Sequence, residues 1–385
     1  MLKILFLAPQ PFFEVRGTPL AVLAMVRAIG ALGHKVDLLT YPRGADVAVE
    51  GMAHRRSLGL PVGRVRPGPS LAKLALDVPF MAEAWWRMAT GGYDVVHAVE
   101  EAAHLAAPLA RLLRLPLVVD VDSSIPDQLR RSGFAARGPL PWAAERLERH
   151  ALRHAAAVIT VCGSLTEGVR ARAPRAPVFQ VEDPPLVEAG SLDRAAAAAL
   201  RRSLGIGPGP VVLYSGNLEP YQGVDVLLQA APHVPEAWFV FMGGEPAAVE
   251  ALRARAPAGA GRVVFAGQRP PSELPSFLAL ADVLVSPRLH GENTPFKIYT
   301  YLASGRPLVA TRLPTHTQIL DDSVAVLVEP TPSGLAAGIR TVLADPVQAD
   351  ERAARGRALI ERDYSPRRYA EKVARAYAAV EAAVG

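Results

Sequence analysis

Residues 286–311, SPRLHGENTPFKIYTYLASGRPLVAT, hold a strand end, a polar loop, one helix and the next strand in a single run. Thr294 is a favourable N-cap and Pro295 suits the first helical position. The helix then runs with Ile298, Tyr301 and Leu302 on one apolar face until Gly305 supplies a left-handed stop, and Pro307 to Thr311 form the following strand. Such a helix start offers unpaired N–H groups and a positive dipole end to an anion. Lys297, in the first turn, opposes that dipole, and a bound phosphate would explain it. Glu292, just ahead of the cap, supplies a carboxylate that accepts hydrogen bonds from hydroxyls. Phosphate plus sugar suggests a nucleotide sugar. The alternative is an ordinary capped helix with Lys297 in solvent.

Outward from this stretch, apolar strands alternate with amphipathic helices, twice over. The first half reads as strands at Lys3 to Ala8, Lys35 to Thr40, Asp94 to Ala98, Leu117 to Val121, Ala157 to Val161 and Val178 to Val181. Helical stretches such as Leu20 to Leu32 and His104 to Leu113 separate them. The second half restarts with strands at Val211 to Ser215, Trp238 to Gly243, Val263 to Ala266, Val283 to Ser286, Pro307 to Thr311 and Ala325 to Val328. This is the pattern of two doubly wound parallel sheets, with a boundary near residue 185. A chain of 385 residues, 50% of them hydrophobic, also exceeds one ordinary core. The single cysteine, Cys162, excludes an internal disulfide and fits a reducing cytoplasm. The opening apolar run is too short for a signal peptide, and no run reaches the roughly 18 apolar residues of a membrane span.

Residues 286–311 resemble the donor-site signature of retaining glycosyltransferases of family 4 (glycosyl transferases group 1), which have the GT-B fold. Their motif is a glutamate, seven residues, a second glutamate, then Ala-x-x-x-Gly-x-Pro. Glu292 occupies the first position, Gly305 and Pro307 keep the tail, and Thr300 stands where the family's second glutamate holds the ribose. The resemblance implies two Rossmann-like domains facing a central cleft. Residues 1–185 would bind the acceptor and 186–365 the nucleotide sugar, with the C-terminal helix, 366–385, crossing back to the first domain.

Further segments agree. RGTP, residues 16–19, opens a helix with Thr18 as N-cap and looks like the glycine loop beside donor and acceptor, Gly17 allowing close backbone approach. In DVDSS, residues 120–124, Asp122 aligns with a histidine that contacts the donor sugar. SGNLEPYQG, residues 215–223, matches the segment where the family carries an arginine and a lysine on the diphosphate; here, beyond Gly216, those positions are Asn217 and Gln222. Charge must then come from Arg288 and Lys297. MGGEP, residues 242–246, with Gly243, resembles the glycine turn after a strand, and FAGQR, residues 265–269, with Gln268, the segment whose backbone holds the nucleobase. The implied activity is metal-independent, retaining transfer of a hexose from a UDP- or GDP-sugar to an acceptor hydroxyl, without a cofactor. Its catalytic residues are Glu292, Asp122 and Lys297, and Asn293 and Thr294 join the donor set.

Other chemistries are weaker in these residues. Asp120 and Asp122 imitate the Asp-x-Asp metal motif of the other major glycosyltransferase fold, which lacks a second Rossmann-like half. No P-loop or dinucleotide fingerprint follows a strand. The nine histidines show no metal spacing; His97 reads as cleft-lining or structural, and His290 and His316 flank the donor motif. A catalytically weak sugar-nucleotide binding partner, or a GT-B epimerase, would also fit the departures at Thr300, Asn217 and Gln222. Residues 1–185 contain 22 Lys plus Arg against 17 Asp plus Glu, leaving 20 against 20 in the rest. Arg55, Arg56, Arg64, Arg66 and Lys73, followed by Leu74, Leu76, Phe80, Trp85 and Trp86, suggest peripheral contact with an anionic membrane. The resemblance implies a sugar or a lipid-linked acceptor, and no nucleic-acid reader motif is present.

Overall fold

The computed structural model describes residues 1–14, 17–61, 70–131, 139–188 and 192–385. They form two compact units, one of residues 1–182 with 369–385, the other of residues 183–368.

The first unit is built on seven strands, β1 (Lys3–Ala8), β2 (Lys35–Thr40), β3 (Met52–Arg56), β4 (Val95–Val99), β5 (Leu117–Val121), β6 (Ala157–Thr160) and β7 (Val178–Gln180). All pair in parallel in the order β3-β2-β1-β4-β5-β6-β7. A parallel sheet is covered on both faces, so its strands are apolar throughout, and Ile4 to Ala8 are fully buried. One face packs on the helices Leu71–Thr90, Glu101–Leu112 and Pro139–His154 through Phe80, Ala103 and Leu152. The other packs on the helix Gly17–Ala31 and on the C-terminal helix Pro366–Val384. The latter buries Tyr369, Val373, Ala376, Tyr377 and Val380, a helical stripe that contributes about 1.5–3 kcal/mol per large apolar side chain.

The second unit has six parallel strands, β8 (Val211–Ser215), β9 (Trp238–Met242), β10 (Val263–Gly267), β11 (Val283–Ser286), β12 (Leu308–Thr311) and β13 (Val326–Val328), in the order β10-β9-β8-β11-β12-β13. In each sheet the order reverses beside the first strand, at β1–β4 and β8–β11, and the carboxyl ends of the strands at such a reversal are where open parallel sheets bind ligands.

Three local expectations are corrected. The strand β3, Met-Ala-His-Arg-Arg, has no apolar run and is recruited at the sheet edge by backbone pairing with β2. The strand expected from Asp94 begins at Val95, because the Asp94 carboxylate accepts the Lys3 N–H at 2.7 Å instead. Thr18 is not a cap: Gly17 is already helical, so Thr18 and Pro19 lie in the first turn.

Candidate functional site

The loop of residues 287–295 carries the chain from β11 to the helix Phe296–Ala303, and Arg288 ties it down. Arg288 is 7% exposed; its Nε donates to the His290 carbonyl at 3.0 Å and its terminal nitrogens to the Asn293 carbonyl and Oδ1, both at 3.1 Å. The guanidinium lies over the Tyr221 ring, and the Leu289 N–H donates to the Tyr221 carbonyl at 2.9 Å. Gly291, with φ +145°, passes so close to the guanidinium that an added Cβ would come within 2.5 Å of it. His290 is exposed and stands beside the Tyr221 ring.

The helix begins at Phe296, one residue later than the sequence suggests, because Pro295 takes the cap position with an extended backbone (ψ 130°). The Thr294 hydroxyl, 3% exposed, therefore caps nothing and has no hydrogen-bond partner among the described residues. Gly305 supplies the left-handed turn that ends the helix, with φ +66°.

Lys297 is half-buried in the first turn. Its Nζ sits 3.9 Å from the centroid of the Tyr214 ring and donates to the Gln222 side-chain oxygen at 3.2 Å. No carboxylate pairs with it among the described residues. Burial first, and then the Arg288 charge, hold its amine well below the usual lysine range. The same ammonium presses on Gly216, where a Cβ would meet Nζ at 2.8 Å. Gly216 has φ +145°, and its N–H donates to the Met242 carbonyl at 3.0 Å. The Gly243 N–H in turn donates to the Gly267 carbonyl at 2.7 Å, and a Cβ on Gly243 would meet the Gly216 oxygen at 2.1 Å. Glycines thus let the ends of β8, β9 and β10 close up beside one cation. An ammonium with no carboxylate partner among the described residues, a buried hydroxyl and a helix start are the groups that can receive an anion.

His316, fully buried, supports the site from beneath. Burial is the first cause that lowers it to about 4, with Arg288 and Lys297 adding to it against the pull of the Thr311 carbonyl. The neutral ring donates from Nδ1 to the Thr311 carbonyl (2.7 Å) and accepts at Nε2 from the Ser286 hydroxyl (2.9 Å). It locks the ends of β11 and β12.

Residues 209–345 match the family described as Glycosyl transferases group 1, and residues 16–184 match the Glycosyl transferase 4-like domain. The chain belongs to the group 1 glycosyltransferases. An alpha-D-kanosaminyltransferase of Streptomyces kanamyceticus is 27% identical over 253 residues, 62% of this chain and 64% of that protein, so the chain spans less than two thirds of that relative's length. Among solved structures, the sucrose-phosphate synthase of Thermosynechococcus elongatus superposes over 100% of both chains with TM-score 0.82 at 20% identity. HepE of Anabaena, in complex with UDP and glucose, superposes over 98% of this chain and 100% of its own, with TM-score 0.77 at 18% identity. The two Rossmann-like units have the GT-B fold.

In this glycosyltransferase the donor signature falls into two groups. Gly216, Gln222, Gly243, Arg288, Asn293, Thr294 and Lys297 gather around the start of one helix in the second unit. Of these, Arg288 and Asn293 are engaged with their own loop, and Gln222 faces Lys297. Asn217 turns its side-chain oxygen to the Glu219 N–H (3.2 Å), shaping the turn after β8. Thr300 is buried, and its hydroxyl accepts the Leu186 N–H at 3.0 Å, so protein backbone already occupies the group expected at the ribose. Gln268 is exposed just past the end of β10. Glu292 is half-buried in the clamped loop, its carbonyl held by the Gln318 side chain at 3.1 Å.

Gly17, Thr18 and Asp122 belong to the first unit. Asp122 is buried just past β5, and a Cβ on Gly17 would meet nothing within 4 Å among the described residues. Arg16 lies outside the described residues, as do Arg64 and Arg66. His97 is structural: it stacks on Phe6 at 4.2 Å and bonds Tyr377 (2.8 Å) and Asp120 (3.3 Å). Sequence reading missed Tyr214 and Tyr221, the rings beneath Lys297 and Arg288, which in a strand and a short turn look like ordinary core residues.

Proposed function

We propose that this glycosyltransferase moves a hexosyl group from a nucleoside diphosphate sugar to an acceptor hydroxyl, with retention at the anomeric carbon and without a metal ion. The observation that carries the reading is Lys297, a cation with no carboxylate counterpart among the described residues, in the first turn of a helix that follows the buried Thr294 hydroxyl. A diphosphate supplies the missing charge, and Lys297, Gln222, Thr294 and the first-turn amides would hold it as it leaves. The acceptor oxygen bonds to the anomeric carbon as the bond from that carbon to the diphosphate oxygen breaks, and the hydroxyl proton passes to the departing diphosphate on the same face. Glu292 orients the sugar through its hydroxyls.

Calorimetry with UDP- and GDP-hexoses, followed by NMR of the product anomer, tests this. Tight binding that persists in EDTA, with an axial donor giving an axial product, is expected; an inverted product or binding lost in EDTA would overturn it. The engaged Thr300 hydroxyl favours the second reading, a weakly active sugar-nucleotide binder, which would bind in the same assay without turnover.

We also propose that the first unit rests on an anionic surface while it works in the cytoplasm. No helix among the described residues is long and apolar enough to cross a membrane. In the helix Leu71–Thr90, Leu76, Phe80 and Met88 face the core, whereas Leu74, Val78 and Trp85 face outward with Trp86, which is 62% exposed. The half that carries this helix holds the whole net charge of +5. Cosedimentation with vesicles containing anionic lipid, reduced by Trp86→Glu and absent with neutral vesicles, is expected; equal binding to both vesicle types would sink the idea.

A further inference from the structure

The first unit holds a second group of polar side chains that donor binding does not use. Tyr41 follows β2, Glu100 and Glu101 follow β4, and Asp120 is the penultimate residue of β5, so all lie at the carboxyl ends of strands around the reversal between β1 and β4. That is where an open parallel sheet binds its ligand. Asp77, from the helix Leu71–Thr90, accepts the Tyr41 hydroxyl, and Lys73, one turn earlier, pairs with Glu101 at 2.6 Å. Glu100 is held in the left-handed region at φ +50° and accepts the Ser123 hydroxyl. Three carboxylates, Asp77, Glu100 and Glu101, therefore share the Lys73 ammonium. Burial, followed by the Glu101 charge, raises Asp77 to about 6 against the pull of Tyr41 and Lys73. Burial likewise raises Glu100, with Lys73 opposing and Glu101 and Asp120 adding to the rise.

Two further atoms point to a ligand. Asp120 is 6% exposed; one carboxylate oxygen bonds His97, and the other, Oδ1, has no hydrogen-bond partner among the described residues. Gln10, just past β1 and 9% exposed, likewise leaves its Nε2 without one. Buried polar atoms are seldom left unsatisfied in a finished fold. An acceptor and a donor are thus open at the same end of the sheet, beside three carboxylates that share one ammonium among the described residues. A polyol bearing an ammonium group satisfies both, whereas a phosphate or carboxylate would add to the repulsion.

We infer that the acceptor entering this crevice is a polyol ring carrying an ammonium group, of the amino-sugar or aminocyclitol class, and that phosphorylated acceptors are excluded. The inference rests on the transferase reading above. Saturation-transfer NMR on the full chain, with glucosamine, glucose and glucose 6-phosphate as probes, tests it. Glucosamine should bind roughly tenfold or more tightly than glucose 6-phosphate, with glucose between them. Glu100→Gln and, as a second variant, Asp77→Asn should each shrink that preference. Glucose 6-phosphate binding as well as glucosamine, no binding of glucosamine at millimolar concentration, a preference unchanged in both variants, or a preference lost in EDTA would each overturn it. Calorimetry with nucleotide sugars on the same samples separates the two ideas. A protein that binds the donor but shows no ammonium preference loses only this inference, and one that binds no donor loses the transferase reading.

Discussion

Lys297→Met should leave the fold as stable as before, or more so, while raising the dissociation constant for a nucleoside diphosphate roughly tenfold or more, the loss of a charged hydrogen bond of about 1.4 kcal/mol. The two effects have one cause. The amine is buried over Tyr214, with the Arg288 charge adding to the effect of burial and the Gln222 amide oxygen accepting its hydrogen bond, so its proton affinity is depressed. A lysine whose folded value lies below its unfolded value costs stability at low pH, and the unfolded chain binds more protons between the two values. Stability should therefore rise with pH through the window from the depressed value up to the ordinary lysine range, and that rise should vanish in the variant. A bound diphosphate acts in the opposite direction and favours the ammonium. Nucleotide binding should then take up protons within that window, read as a buffer-dependent enthalpy in calorimetry. A variant that melts well below the parent and binds nucleotide as the parent does would show that Lys297 is a structural cation.

Much of this arrangement is legible in the sequence, for identifiable reasons. Strands buried on both faces are nearly continuous apolar runs, so β1, β2, β5, β8 and β11 carry their expected bounds. Gly305 is legible because only a left-handed residue ends that helix before β12. What the sequence hides is partnership across distance. Gln222 and Lys297 are 75 residues apart, so a glutamine standing in a family lysine position gives no sign that it faces the remaining lysine. Thr300 is 114 residues from Leu186, whose N–H occupies its hydroxyl. Arg288 was legible as a cation but not in its direction, because whether it turns to a ligand or to its own loop depends on the tight turn at Gly291. β3 was invisible because an edge strand needs only backbone pairing, and Met-Ala-His-Arg-Arg offers no pattern of its own.

Arg288 turned inward gives Glu292 its expected effect. Its guanidinium bonds residues on both sides of Glu292, and the Gln318 side chain holds the Glu292 carbonyl, so the loop has its shape before any sugar arrives. A carboxylate carried on a loop held in that way meets hydroxyls at little cost in backbone ordering, and its hydrogen bonds are charge-assisted. Glu292→Gln keeps the side chain's size and the loop's backbone contacts, and removes the charge alone. Turnover should fall by roughly ten- to a hundredfold, the equivalent of about 1.5–3 kcal/mol for a hydrogen bond to a charged group. Because the loss falls on the sugar, the affinity for the free nucleoside diphosphate and the melting temperature should stay close to the parent's. That separates the two site residues: Lys297 is read by nucleotide affinity and Glu292 by turnover. Transfer at the parental rate in Glu292→Gln, or an equal loss of affinity for the sugar-free nucleotide, would remove Glu292 from the donor-sugar contacts and leave it as part of the loop's framework.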